Sequence, residues 1–314
     1  MPGKIAVIGS INVDYTAIVP ALPAPGETVL GGELVVANGG KGANQAVAAA
    51  RAGGAVAMVG RVGEDAEGRA YVATLDAEGI DTGAVQMAPG AKTGVALIFV
   101  QRDGGENCIA VCPGANLLLS PRDVQAAAAA ISEAAVVLAQ LEVPVESVLC
   151  AARIARDSGA AFLLNPSPVP ATGVPTDLLA LVNYLVLNET EIRRLGADLG
   201  GGDAQATAHR LVAAGMRAVV LTRGAAGCTI VDERGQVDIA PFAVRPVDAV
   251  GAGDAFAGAL STALAEGHFL QEAALFANAA GALAVTAAGA MPSLPRREAV
   301  GALLSQARRK PGWL

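Results

Sequence analysis

Asp248-Ala249-Val250-Gly251-Ala252-Gly253-Asp254-Ala255-Phe256-Ala257-Gly258 is a run of small residues bracketed by two aspartates and leading into an apolar, alanine-rich segment. That segment predicts a buried helix over residues 254–266, with three small residues in front of it. Gly251, Ala252 and Gly253 then present their amides at the positive end of the helix, a place for a phosphate oxygen or for negative charge that develops during a reaction. Asp254 has two readings. It is a carboxylate capping the helix, or a general base beside the anion site that takes a proton from an attacking hydroxyl. The spacing is not G-x-G-x-x-G, and a single glycine, Gly9, follows the first apolar run, so a dinucleotide fold is disfavoured.

A second glycine-rich stretch, Gly39-Gly40-Lys41-Gly42-Ala43-Asn44-Gln45, runs into an alanine-rich helix over residues 42–51. Paired glycines before a helix let backbone N–H groups approach a ligand, and Lys41 adds a mobile positive charge. An ordinary strand-to-helix turn with a solvated lysine is the alternative. The G-x-x-x-x-G-K-[ST] phosphate loop occurs nowhere in the chain.

Short apolar runs alternate with helical stretches between these two motifs and around them. Residues 4–9, 56–60, 136–139, 162–165, 185–187 and 218–222 read as strands, and 65–78 as a helix. Fully apolar strands alternating with helices predict a mostly parallel sheet covered on both faces. Two segments depart from that pattern. Residues 93–101 and 107–111 flank Arg102-Asp103-Gly104-Gly105-Glu106 and read as a β-hairpin. Residues 14–19 and 28–36 are also strand-like, with Pro20, Pro23, Pro25 and Gly26 between them. These four strands predict a small antiparallel sheet standing off the main layer, where a lid is expected.

Composition narrows the function classes. The 314 residues are 53% hydrophobic and 16% charged, with aromatics at 3%, so the core is built from Ala, Val, Leu and Ile and disorder is excluded. The charge sum of 22 − 29 = −7, with no basic stripe, argues against a nucleic-acid partner. Arg308, Arg309 and Lys310 form a cationic cluster read as a solvated tail. The stretch 273–291 approaches the length of a membrane span, but it is mostly Ala and Gly around Asn278 and Thr286, and reads as a buried helix and loop. Cys108, Cys112, Cys150 and Cys228 form no C-x-x-C pair, and His209 and His268 stand alone, which disfavours a structural zinc site. Reduced thiols and the absence of a signal-type N-terminus lead to the expectation of a cytoplasmic protein.

Four motifs occur in order: Gly39-Gly40-Lys41-Gly42-Ala43-Asn44, Asn188-Glu189-Thr190-Glu191, Thr222-Arg223-Gly224-Ala225-Ala226-Gly227 and Asp248-x-x-Gly251-Ala252-Gly253-Asp254. Together they resemble the motifs of the ribokinase (PfkB-type) sugar kinases, over nearly the whole chain. Gly9-Ser10-Ile11-Asn12-Val13-Asp14, Pro25-Gly26-Glu27-Thr28, Thr93-Gly94-Val95-Ala96-Leu97-Ile98, Gln140-Leu141-Glu142, Asn165-Pro166-Ser167-Pro168 and Pro292-Ser293-Leu294-Pro295 are similar to the ribose-specific branch of that family.

The resemblance implies a single three-layer α/β/α domain over residues 1–314, with lid strands from about 14–36 and 93–111. It implies phosphoryl transfer from ATP to the 5-hydroxyl of D-ribose, with 2-deoxyribose, fructose or adenosine as alternative acceptors, and a non-catalytic sugar or nucleotide sensor as the alternative from another class. By that resemblance Asn12, Asp14, Gly39, Gly40, Lys41, Asn44 and Glu142 contact the sugar, and Asp254 is the general base. Gly251, Ala252 and Gly253 form the anion hole, helped by Lys41. Asn188, Thr222, Arg223, Gly224, Ala225, Ala226, Gly227, Gly253 and Asn278 lie at the nucleotide, with Arg223 replacing an apolar residue. Glu191 serves Mg²⁺ through water. Asp248, Val250, Ala284, Ala287, Gly289 and Ser293 surround a monovalent cation, K⁺ by expectation. A homodimer through the lid strands is also implied.

Overall fold

The computed structural model describes residues 3–103 and 106–309; Gly104 and Gly105 of the hairpin turn, and Lys310 of the cationic cluster, lie outside the described residues. Nine strands form one sheet: β1 (Lys4–Ile8), β4 (Ala55–Gly63), β5 (Asp81–Ala88), β8 (Ala134–Gln140), β9 (Ala161–Asn165), β10 (Tyr184–Asn188), β11 (Ala218–Thr222), β12 (Cys228–Asp232) and β13 (Gly235–Ile239). Their order is β13-β12-β11-β10-β9-β8-β1-β4-β5. Every neighbouring pair is parallel except β11–β12 and β12–β13. The strands expected from apolar runs are all present; four of the six are longer than expected, the run at 218–222 is unchanged, and β1 ends one residue early. Strands β5, β12 and β13 are not among those expected: exposed, polar positions in β5 and β13 hide the pattern of a buried strand.

Alternation within each strand builds the layers. Ile5 and Val7 of β1 face one side and Ala6 and Ile8 the other, and the sheet residues around them divide in the same way. The first side is covered by α1 (Lys41–Arg51), α2 (Ala66–Ala77), α9 (Ala252–Ala265), α10 (Leu270–Ala284), α11 (Ala290–Ser293) and α12 (Arg297–Arg308). The second is covered by α3 (Pro121–Ala126), α4 (Ala128–Ser132), α5 (Val145–Ser158), α6 (Thr176–Leu179), α7 (Glu189–Asp198) and α8 (Ala204–Ala213). Helix α10 contains most of the alanine-rich stretch 273–291, and among the described residues no helix is long and apolar enough to cross a membrane.

A second sheet, in the order β3-β2-β6-β7, is made of β2 (Asn12–Val19), β3 (Leu34–Gly39), β6 (Gly94–Gln101) and β7 (Asn107–Cys112). It corrects the expectation of an antiparallel sheet. The outer pairs β2–β3 and β6–β7 are antiparallel, but the central pair β2–β6 is parallel over Asn12↔Gly94 to Val19↔Gln101. β2 follows β1 and β6 follows β5, both at the C-terminal end of parallel strands, so they run side by side. The strand expected over 28–36 is also shorter: residues 28–33 are irregular, and β3 begins at Leu34.

Strand β1 pairs with β4 on one side and β8 on the other, so the chain changes direction across the sheet at its C-terminal end. In open parallel sheets a crevice forms at that switch. Gly9 and Ser10 leave β1 here, Leu141 and Glu142 leave β8, and Asn165, Asn188 and Thr222 end β9, β10 and β11.

Candidate active site

A pocket of about 220 Å³ opens at this crevice, lined by Lys41, Asn165, Ser167, Val186, Leu187, Asn188, Glu191, Thr222, Ala249, Gly251, Gly253 and Asp254. All four sequence motifs contribute to its wall. Helix α1 starts at Lys41 because Gly40 turns the chain at φ 86°; a Cβ there would lie 2.6 Å from the Asn12 nitrogen. Helix α9 starts at Ala252, two residues earlier than the sequence suggests, after Gly251 at φ 80°. A Cβ on Gly251 would press on the Ala290 backbone at 3.0 Å, so this residue is held to glycine by both conformation and space.

Asp254 is 7% exposed, in the first turn of α9. The start of that helix at Gly251 has no side-chain cap, and the Asp254 carboxylate is bound from α1. Asn44 Nδ2 donates to Oδ2 at 3.0 Å and Gln45 Nε2 donates to Oδ1 at 2.9 Å. Burial raises the Asp254 carboxyl above the usual range; Lys41 and the two amide donors pull the other way but do not cancel it, and Glu142 adds to the rise. Burial alone would lower the Lys41 ammonium, yet Asp254, Glu142 and Glu191 together leave it raised and therefore charged.

The expected sugar residues gather beside this pair. Asn12 is 3% exposed and its Oδ1 accepts from Asn116 Nδ2 at 2.7 Å. Asn116 also accepts from the Ile11 amide and donates to the Ile11 carbonyl, so it clips the chain where β2 begins. Glu142 Oε2 accepts from Ser10 Oγ at 2.5 Å and from the Lys41 amide at 3.1 Å. Asp14 projects from β2 beside Gly39, where any Cβ would collide with its carboxylate at 2.1–2.5 Å. Burial, with Glu142 and Asp254 adding like charge, pushes the Asp14 carboxyl up to about 7. Asn44 Oδ1 is buried with no hydrogen-bond partner, an acceptor left for a ligand. Tyr71 donates to the Gly39 carbonyl at 2.5 Å and ties α2 to this corner.

The nucleotide and cation residues are arranged as follows. Asn188 caps α7: its Oδ1 accepts from the Thr190 and Glu191 amides, and its own amide donates to Glu191 Oε2. The motif is thus a capping box, with Asn188 Nδ2 and Glu191 Oε1 left over for other partners. Thr222 ends β11; Gly224, Ala225 and Ala226 form a 3₁₀ turn, and Gly227 follows at φ 86°. Arg223 approaches Asp238 at 3.5 Å, while its Nε is buried without an acceptor. Asn278 donates to the Ala240 carbonyl at 2.8 Å. Asp248 accepts from the Val250 and Gly289 amides, drawing residues 247–250 against 285–289. Ala284 accepts from the Ala287 amide, and Ser293 Oγ donates to the Ala290 carbonyl. Arg51 at the end of α1 holds the neighbouring Met291 and Leu294 carbonyls and forks onto Glu78.

Sequence reasoning assigns no role to Gln45, Gln140, Asn165, Asn116 or Ser10. Gln45, Gln140, Asn165 and Ser10 stand inside the quoted motifs, and that adjacency is the available signal.

Comparison with known proteins agrees with this fold. The model of the pfkB family carbohydrate kinases matches residues 2–297. A ribokinase of Haemophilus influenzae is 38% identical over 300 residues, covering 95% of this chain and 97% of its own length. A deoxyribokinase of Salmonella typhi is 34% identical, covering 96% and 98%. Among solved structures, a Thermotoga maritima ribokinase aligns with a TM-score of 0.88 at 34% identity, covering 96% of this chain and 99% of that one. The Arabidopsis thaliana ribokinase complexed with ribose and ATP aligns with a TM-score of 0.85 at 30% identity, covering 97% and 99%.

Proposed function

The chain belongs to the pfkB family of carbohydrate kinases, and from that premise we propose that it transfers the γ-phosphoryl group of ATP to the 5-hydroxyl of D-ribose. The observation that carries the chemistry is Asp254: a buried carboxylate with a raised pKa, held by two neutral amides at the start of α9 and opening onto the pocket. Asp254 takes the hydroxyl proton as the oxygen attacks phosphorus. The new P–O bond forms, the bond to the β-phosphate oxygen breaks, and ADP leaves. The amides of Gly251, Ala252 and Gly253, with the charged Lys41, face the transferring group. Positioning and preorganised charge supply most of the acceleration in such a loose transition state.

Asn12, Asp14, Asn44 and Glu142 supply the acceptors and donors that a small polyol needs, and each hydroxyl a competitor lacks would leave one of them unpaired. Ribose is the reading that ribokinase relatives support; a 2-deoxyribose acceptor is the second, favoured by the deoxyribokinase relative. Nucleotide binding is assigned to the Thr222–Gly227 turn and Asn278. The free oxygen of Glu191 fits the outer shell of Mg²⁺ arriving with ATP. Among the described residues no cluster of three acidic, His or Cys groups could hold a metal, so phosphate and water would be its main ligands there. Bound Mg²⁺ would neutralise phosphate charge. Asp248 and the carbonyls around 284–293 offer hard oxygens and a single carboxylate, which fits a monovalent cation that would steady the loops beside the anion hole.

The four-stranded sheet is assigned as a lid that excludes water from the sugar, and the exposed Leu34, Val36, Leu97 and Phe99, which the register places on one face, as the surface that pairs with a second copy. ADP formation from MgATP with ribose, 2-deoxyribose, fructose and adenosine, each in K⁺ and in Na⁺, tests the assignment. Ribose-dependent turnover raised by K⁺ is expected. Preference for another acceptor would replace the substrate, and ATP binding without turnover on any would replace the kinase with a sensor.

A further inference from the structure

The hydrogen bonds behind Asp254 run in one direction. Gln45, 0% exposed, lies on α1 directly after Asn44. Its Nε2 donates to Asp254 Oδ1 and to Asn165 Oδ1, both at 2.9 Å, and its Oε1 accepts from Gln140 Nε2 at 2.6 Å. Asn165 Nδ2 donates to the Val186 carbonyl of β10 at 2.8 Å. A backbone carbonyl can only accept, so Asn165 must turn Nδ2 toward it and Oδ1 toward Gln45. Gln45 must then present Nε2, and its Oε1 is left for Gln140. A flipped Gln45 amide would set oxygen against oxygen at both Asn165 and Asp254.

We propose that Gln45 is a positioning residue for phosphoryl transfer: it holds Asp254 by Oδ1 and leaves Oδ2, the oxygen on the Asn44 side, to receive the proton. This rests on Asp254 being the base. The two sides of the carboxylate differ in what they still lack. On the Gln45 side both Nε2 hydrogens and Oε1 are used, and the one orphaned acceptor, Gln140 Oε1, belongs to the next residue of the amide chain and faces Gly9. On the Asn44 side the buried Oδ1 of Asn44 has no partner, so a polar ligand is still wanted there. The remaining charged groups around Asp254 are Lys41 on α1, Glu142 after β8 and Asp14 on β2, and none of them bonds to Gln45.

Gln45→Met keeps most of the volume and removes the donor. With MgATP and D-ribose, kcat should fall by ~10-fold or more, with the ribose KM within about threefold of wild type. The acid limb of kcat against pH should move to higher pH, because the carboxylate form loses a hydrogen bond. Gln45→Glu still accepts from Gln140 but sets a second carboxyl beside Asp254, and should move that limb further. In the Asp254→Asn background Gln45→Met should cost nothing more. An acid limb at the wild-type pH in both variants, or an undiminished cost of Gln45→Met in the Asp254→Asn background, would overturn the proposal and leave Gln45 as packing. If Gln45→Met does not fold, the Gln45→Glu profile decides. Asp254→Asn alone isolates the premise: wild-type turnover there would remove the base itself, and the positioning role with it.

Discussion

Asp14→Asn isolates the cost of holding a carboxylate half-buried on β2 beside Gly39. In the folded protein its carboxyl is raised from 3.8 to about 7, first by burial and then by Glu142 and Asp254. A folded-state pKa above the unfolded one means that the native state keeps a proton the unfolded chain has already released. Stability contributed by this group is therefore lost as pH rises from about 4 to about 7, and stays lost above that. A rise of roughly three units corresponds to about 4 kcal/mol as a ceiling. Asp14 is partly exposed, and solvent screening reduces this to ~1–2 kcal/mol. With a melting entropy of roughly 0.6 kcal/mol/K for a chain of this length, that is ~2–3 °C. The assay is the melting temperature of ligand-free wild type and Asp14→Asn at intervals from acid to pH 8, read as the difference so that other titrating groups cancel. The variant should gain on wild type as pH rises, with the change concentrated below neutrality. A difference that stays flat, or that favours wild type at pH 8, would refute the reasoning. The same substitution should weaken ribose binding, so that added ribose raises the wild-type melting temperature more than the variant's.

Asp254→Asn should lower kcat by ~10²–10⁴-fold while its melting temperature at pH 8 equals or exceeds wild type, because a buried charge has gone; steady-state kinetics and thermal melts check the two halves. Arg51→Lys gives up the fork onto Glu78 and the paired carbonyls of Met291 and Leu294, and urea unfolding should show a loss of ~2–4 kcal/mol. The K⁺ concentration for half-activation should rise in that variant, since Arg51 clamps the segment next to Gly289 and Ser293. Analytical ultracentrifugation at micromolar protein should show a species of twice 31.1 kDa, and a charged replacement such as Leu97→Glu should return it to the monomer.

Contiguous motifs make much of this site legible in the amino-acid sequence. Gly40 and Gly251 each combine a positive φ with a backbone neighbour that crowds any Cβ, at 2.6 and 3.0 Å, and such demands are met by short runs of small residues that can be read directly. Apolar strands buried on both faces are equally plain. What stays hidden depends on tertiary pairing. The polar, half-exposed β5 has no buried-strand pattern, and the parallel β2–β6 pair follows from where two distant segments leave the main sheet. Residues 28–33 have strand-like composition, but the Gly32 amide and the Glu33 carbonyl meet β2 at Ile18 and the regular ladder begins at Leu34. Asn188 and Glu191 satisfy each other as a helix cap, a local role that competes with the ligand role suggested by the same spacing. The amide chain is hidden for the same reason as the β2–β6 pair. Gln45, Gln140 and Asn165 come from α1, β8 and β9, and only the order of strands around β1 brings them together.

For the proposed base, that chain also shows how a carboxylate can be aimed at little cost in basicity. Among the described residues Asp254 forms no salt bridge, although an Arg or Lys in contact would orient it at least as firmly. A contacting cation would pull a carboxylate pKa down by ~1–3 units and leave a poorer proton acceptor. Neutral amides orient the same two oxygens at a smaller cost in basicity, and here burial outweighs them, so that the Asp254 carboxyl stays raised. The positive charge of Lys41 acts on Asp254 through space rather than through a hydrogen bond, and the same ammonium is drawn toward Glu142 and Glu191. Orientation and basicity are thereby supplied by different residues: Asn44 and Gln45 set the angle, and the dry first turn of α9 sets the proton affinity.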